Sequence, residues 1–275
     1  MTPSLLERLG YDKDQTAVIV SVDELGFCQS ANSATYELLR YRHATSTSLM
    51  IPAPWARAAA ADHRGEDVGV NLTIISELER YRWGPITHAP SLLDGDGAFP
   101  RTADDVWEHA DLDEVRREWR AQIERAVLWG FDVTHLVTHF DAVERKPEFF
   151  DVYLDLAEDF SLPVRLSGAG PGREIGFPIR ELTDARGVLT PDSTIEIHHL
   201  GKSAAEVALA ISALAPGVHE IVGRVAHDSN ELRGATPHFA ERVRTYELLR
   251  EIDWNNIAVE RTNYRALADA MRGIR

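Results

Sequence analysis

The stretch that most constrains this chain is Ala17-Val18-Ile19-Val20-Ser21-Val22-Asp23-Glu24-Leu25-Gly26-Phe27-Cys28. A run rich in β-branched residues, without polar alternation, is what a strand buried on both faces requires. That condition belongs to parallel sheets covered by helices. The run delivers two adjacent carboxylates, Asp23 and Glu24, to its C-terminal end and stops at Gly26. In α/β folds chemistry gathers at the C-terminal ends of parallel strands. The same pair also fits a solvated turn that merely closes a strand.

Along the rest of the chain, strand patterns recur at 45–51, 67–75, 133–139, 162–166, 194–199 and 217–225. Helical patterns occupy 3–10, 30–41, 55–61, 111–129, 148–160, 202–214, 241–252 and 264–271. The clearest helix is 111–129, where Leu112, Val115, Trp119, Ile123 and Ala126 recur at three to four residues before Gly130. In 30–41 the buried stripe is expected to comprise Ala34, Leu38 and Tyr41. By period two, Asn71 and Thr73 share one face of the third strand, and His135 and His139 project to one side of the fourth. Residues 76–102 read as a long loop, of the kind that tends to be functional. Gly168-Ala169-Gly170-Pro171-Gly172 lacks the strand–helix spacing of a dinucleotide fingerprint. At least six alternations of strand and helix predict one α/β domain over residues 1–275, built on a parallel sheet, closed or open.

Composition narrows the partners. Forty-four acidic and 29 basic residues leave a formal charge of −15, which repels nucleic acid and anionic lipid surfaces. A single cysteine, Cys28, excludes an intrachain disulfide and a thiolate-rich zinc cluster, so a metal would rely on His, Asp, Glu or Asn. Met1–Thr16 is mixed polar, with no apolar stretch like that of a signal peptide, which is the pattern of a cytoplasmic, soluble protein.

Four of the expected strands end in polar groups: Asp23 with Glu24, Asn71, His139 with Asp141, and His227 with Asp228. Singly, each is at home as a hydrogen-bonded packing residue; together they form a candidate site at one rim. Their context resembles the YdjC-like carbohydrate deacetylases, the family that includes chito-oligosaccharide deacetylases. The resemblance is carried by Val20-Ser21-Val22-Asp23-Glu24-Leu25-Gly26 followed by Asn32, by Gly69-Val70-Asn71-Leu72-Thr73, and by Pro90-Ser91-Leu92-Leu93-Asp94-Gly95-Asp96-Gly97-Ala98-Phe99. Gln122-Ile123-Glu124, Gly130 and Thr134-His135-Leu136-Val137-Thr138-His139 extend it, as do Pro147 and Leu162-Pro163-Val164-Arg165. Looser matches at His219-Glu220-Ile221 and Val225-Ala226-His227 bring the total to roughly residues 17–250.

The resemblance implies an irregular β/α barrel of the TIM-like kind and removal of an N-acetyl group from an amino sugar or chito-oligosaccharide-like substrate. It further implies Asp23 as general base, Glu24, Asn71 and His139 around a divalent metal (Mg, Zn or Mn), His227 as a general acid, and Arg165 near the substrate. The expected partner is a small carbohydrate, with a homodimer left open. The departures from the family pattern are specific. Asn71 stands where the family has a histidine, Glu24 is one methylene longer than the family's aspartate, Val137-Thr138 replace Asp-Ser, and Asp141 replaces a further histidine. Three outcomes follow: a re-tuned metal site using Glu24, His139 and Asp141, a sugar-binding homologue that has lost metal and catalysis, or a metal-dependent lyase or isomerase on the same fold.

Overall fold

A computed structural model describes residues 3–141, 146–166 and 178–274, the side chain of Asp141 excepted. The glycine-rich 168–172 segment lies outside the described residues. Seven strands among the described residues form one sheet: β1 (Thr16–Leu25), β2 (Ser46–Leu49), β3 (Val68–Leu72), β4 (Leu136–Thr138), β5 (Ser193–Glu196), β6 (Gly217–Arg224) and β7 (Glu260–Thr262). Their order is β4-β3-β2-β1-β6-β5, with β7 beside the start of β1, and every pairing is parallel. Rungs continue past β4 through an isolated bridge, Leu136 to Val164, and a 2.9 Å bond from the Val164 amide to the Leu189 carbonyl. The result is a half-barrel with helices around it; the full ring of a TIM-like barrel is not closed by strand pairs among the described residues. No described helix is long and apolar enough to cross a membrane.

β1 is the central strand and is buried on both faces, as its composition requires. Val18, Val20 and Val22 pack outward on Ala34 and Leu38 of the helix Gln29–Arg40 and on Tyr246 and Leu249 of the helix Phe239–Glu251. Ala17 and Ile19 pack on Tyr264 and Leu267 of the last helix, Tyr264–Arg272. β1 to β6 keep an unbroken register from Thr16–Gly217 to Asp23–Arg224. A register shift between Val22 and Leu25 marks a bulge on the β2 side, and Glu24 lies within it at a left-handed φ of 68°.

Most expected elements are present, shifted by a residue or two at their ends. Tyr41, expected in the buried stripe of the helix Gln29–Arg40, instead caps that helix and is 73% exposed. The expected strand at 194–199 gives way after Glu196 to a helical turn, Ile197–Leu200, and the one at 162–166 reduces to the single bridge at Val164. The expected strand at 133–139 is regular only over Leu136–Thr138, because Phe140, at φ 57°, turns the chain at its end. The helices Ala103–His109 and Asn230–Ala235 escaped the apolar period, being barely two turns long. Each starts at a side-chain N-cap: Thr102 accepts from the Asp105 amide and Ser229 from the Leu232 amide.

Candidate active site

The loop that follows β1 sets the geometry. Gly26, at φ 96°, brings the chain so close to the helix Ala56–Asp62 that an added Cβ would lie 3.1 Å from both the Ala56 Cα and the Met50 carbonyl oxygen. Its amide donates to Asn32 Oδ1 at 2.7 Å, while Asn32 Nδ2 donates to the Trp55 carbonyl at 3.1 Å. This clasp holds the end of β1, and with it Asp23 and Glu24, in one position.

The two acids then part. Asp23 follows Ala17, Ile19 and Ser21 inward by strand alternation, whereas Glu24 lies in the bulge with a left-handed backbone and lines the neighbouring cavity. Asp23 Oδ1 accepts from Ser48 Oγ at 2.8 Å and from Arg165 Nη2 at 3.1 Å, and Oδ2 accepts from Arg165 Nη1. Arg165 also donates to both oxygens of Glu220, through Nε at 2.7 Å and Nη2 at 2.5 Å. Glu220 Oε2 further accepts from Tyr264 Oη at 2.9 Å. Burial opposes the charge on Arg165, but Asp23 and Glu220 outweigh it and hold the guanidinium pKa well above its usual value.

Glu24, 2% exposed, meets two other arginines: Oε1 accepts from Arg224 Nε at 2.5 Å and Oε2 from Arg242 Nη2. Burial alone would raise its pKa; Arg242 and Arg224, followed by His139, overcome it and hold the carboxyl far below the usual range. The Arg242 guanidinium also lies 4.5 Å above the ring of Phe27. His139 is 2% exposed, hydrogen-bonds Glu77 Oε2 through Nε2 at 3.0 Å, and stands edge-on to Trp83 and Phe140. Asn71 is buried with its Oδ1 unpartnered among the described residues.

These groups open on two adjoining cavities. Asp23, Asn71, His139 and Arg165 line the smaller, of about 290 Å³. Glu24 and Arg242 line the larger, of about 760 Å³, and Phe140, Glu196 and Arg224 border both. The structure therefore gathers four of the expected site residues and puts Glu24 next door. His227 stands apart from both linings: its Nε2 pairs with Glu37 at 3.1 Å and its ring meets Tyr246 edge-on at 4.6 Å. Asp141 ends the turn that carries His139, and its side chain lies outside the described part. Arg224, Arg242, Glu220 and Glu77 were missed as site residues. Arg224 ends β6 opposite Asp23, so the rule that picked out Asp23 would also have picked it out. Arg242 reaches Glu24 from 218 residues away, with no local signal.

A divalent metal on Glu24, Asn71 and His139 does not fit these contacts. Both oxygens of Glu24 are engaged by guanidinium groups, so the one carboxylate of the set is already neutralised, while the hydrogen bond to Glu77 occupies only Nε2 of His139. That leaves His139 Nδ1 and Asn71 Oδ1, one nitrogen and one neutral oxygen, whereas zinc takes about four ligands and magnesium about six. No group of three or more His, Cys, Asp or Glu among the described residues could hold a metal ion.

Comparison with known proteins places these features in context. The chain matches the family model described as YdjC-like protein over residues 17–257. It is 39% identical over 170 residues to a carbohydrate deacetylase of Thermus thermophilus, an alignment covering 60% of each chain. The chain thus spans less than two thirds of that relative. It is 26% identical over 258 residues to a carbohydrate deacetylase of Thermoanaerobacter pseudethanolicus, covering 91% of this chain and 98% of the other. Among solved structures, a protein of Enterococcus faecalis described as a cellobiose-phosphate cleavage protein shares the fold, with a TM-score of 0.77 and 22% identity over 92% of this chain and 99% of that one.

Proposed function

Because this chain belongs to the YdjC-like protein family, we propose that it is a carbohydrate deacetylase, hydrolysing the N-acetyl group of an amino sugar held in the cavity beside Asp23. The observation that carries this reading is the convergence of Asp23, Asn71, His139 and Arg165 on that cavity from separate segments of the chain. At about 290 Å³ the cavity is at the lower end of the ~300–1,000 Å³ range of small-molecule sites, and its neighbour of about 760 Å³ is well inside it.

Amide hydrolysis needs a base for the attacking water, positive charge near the carbonyl oxygen, and a proton for the departing nitrogen. Asp23 is the base; Ser48 and Arg165 fix its carboxylate in a single orientation. Arg224, at the border of both cavities, supplies charge to the developing oxyanion. His139, hydrogen-bonded to Glu77, returns a proton to nitrogen as the C–N bond breaks. Asn71 Oδ1 is an acceptor for the acetamide N–H. Acetate release from N-acetylated amino sugars and chito-oligosaccharides tests the reading, with Asp23→Asn expected to slow it ~10²–10⁴-fold without loss of the fold. One observation favours a sugar-binding protein without catalysis: both Asp23 oxygens already accept from Arg165. Saturable sugar binding with no acetate release from any substrate would decide for that second reading.

A further inference from the structure

The positive charge that a divalent cation would bring to this rim is already present as side chains. Arg224 arrives from the end of β6 and Arg242 from the helix Phe239–Glu251, and each donates to a different oxygen of Glu24. Both groups are permanently charged. Arg242 is 5% exposed and packed against Phe27, so it is a fixed part of the core and not a surface arm that swings aside. The arrangement of the linings agrees with this, since Glu24 lines the larger cavity while Asn71 and His139 line the smaller one beside it.

We propose that Arg224 and Arg242 take the place of a divalent cation at these strand ends, so that the rim holds no metal and the guanidinium of Arg224 is the electrophilic charge facing the substrate. Glu24 is then a positioning residue: it holds the two guanidinium groups together and points Arg224 at the boundary of the two cavities. Asn71 follows from the same arrangement, because a neutral amide suffices where no cation needs an imidazole. The catalytic half of this inference rests on the deacetylase reading; the metal half does not.

The test uses the full chain, purified without chelator. Wild type, Asn71→His, Arg224→Gln and the Asn71→His/Arg224→Gln pair are each titrated calorimetrically with Zn²⁺, Mn²⁺ and Mg²⁺ after their melting curves have been recorded. Even with the dielectric of water, a divalent ion about 6 Å from a guanidinium loses roughly tenfold in affinity. Wild type and Asn71→His are therefore expected to bind no ion at the rim, while the double variant binds at least about tenfold tighter than Asn71→His. Tight binding by wild type that Asn71→Ala abolishes, or tight binding by Asn71→His with both arginines in place, overturns the proposal. Binding that is unchanged in Asn71→Ala and His139→Ala lies elsewhere on the chain and agrees with a metal-free rim. The Arg224 side chain is 40% exposed, which favours folding of its variants; should the double variant unfold, Asn71→His alone decides. Acetate release that persists in EDTA supports Arg224 as the electrophile, and release lost in EDTA and restored by metal refutes it. No release from any sugar would instead sink the deacetylase reading, and the titrations would still decide the metal question.

Discussion

Asp23 and Glu24 are covalent neighbours with different electrostatic surroundings, and the bulge that breaks the strand between them is the reason. Asp23 shares Arg165 with Glu220, so three charges are interlocked where water has little access. Removing the central cation leaves two carboxylates facing each other, and Arg165→Met is expected to cost about 3–5 kcal/mol in denaturant unfolding. A loss below about 1 kcal/mol would mean that solvent reaches and screens the pair. At the opposite end of the sheet, Asp67 is 7% exposed, accepts from Thr134 Oγ1 at 2.8 Å and from the Arg265 amide at 2.7 Å, and has its pKa raised by burial from 3.8 to about 6. Between those two values the folded chain holds a proton that the unfolded chain has released, so this group makes stability fall as pH rises through the window. The full cost above pH 6 is about 3 kcal/mol. Stability measured from pH 4 to 7 is expected to fall less steeply, or rise more, for Asp67→Asn than for wild type; parallel curves would show that the carboxyl does not titrate in this range.

At the scale of elements, β1 and the clasp behind it organise the site. The strand was legible because a doubly buried strand has few compositions open to it, and the helix Leu112–Leu128 because its apolar period persists over several turns. Trp119, Ile123 and Val115 are fully buried there, while Leu112 at the exposed start of the helix is 36% exposed. The clasp rests on Gly26, whose φ of 96° and close approach to Ala56 exclude a side chain. Gly26→Ala is expected to lower stability by about 1–3 kcal/mol and to displace both acids. An unchanged unfolding midpoint, with unchanged acetate release, would show that the turn relaxes freely. Short elements were the hard ones: β7 and the helices Ala103–His109 and Asn230–Ala235 are held by packing and caps more than by a sustained period.

For the whole molecule, 44 acidic residues against 29 basic ones make self-repulsion a general cost that salt relieves. Raising ionic strength from about 0.01 M to about 0.15 M shortens the screening length from about 30 to about 8 Å, and the melting temperature is expected to rise. A fall would show that exposed ion pairs, such as Arg120 with Asp159 and Arg186 with Glu158, outweigh the net repulsion. The amino-acid order alone determined the alternation of strand and helix, the central place of β1 and the gathering of Asp23, Asn71 and His139 at one rim, because backbone periodicity and burial are written locally. Only the folded chain decided which partner each carboxylate has. Arg165 lies 142 residues from Asp23 and 55 from Glu220, Arg242 lies 218 from Glu24, and which charges share a buried volume is a property of packing that no local pattern encodes. For the same reason the order of residues suggested a cation at Glu24, and the tertiary contacts put two arginines there.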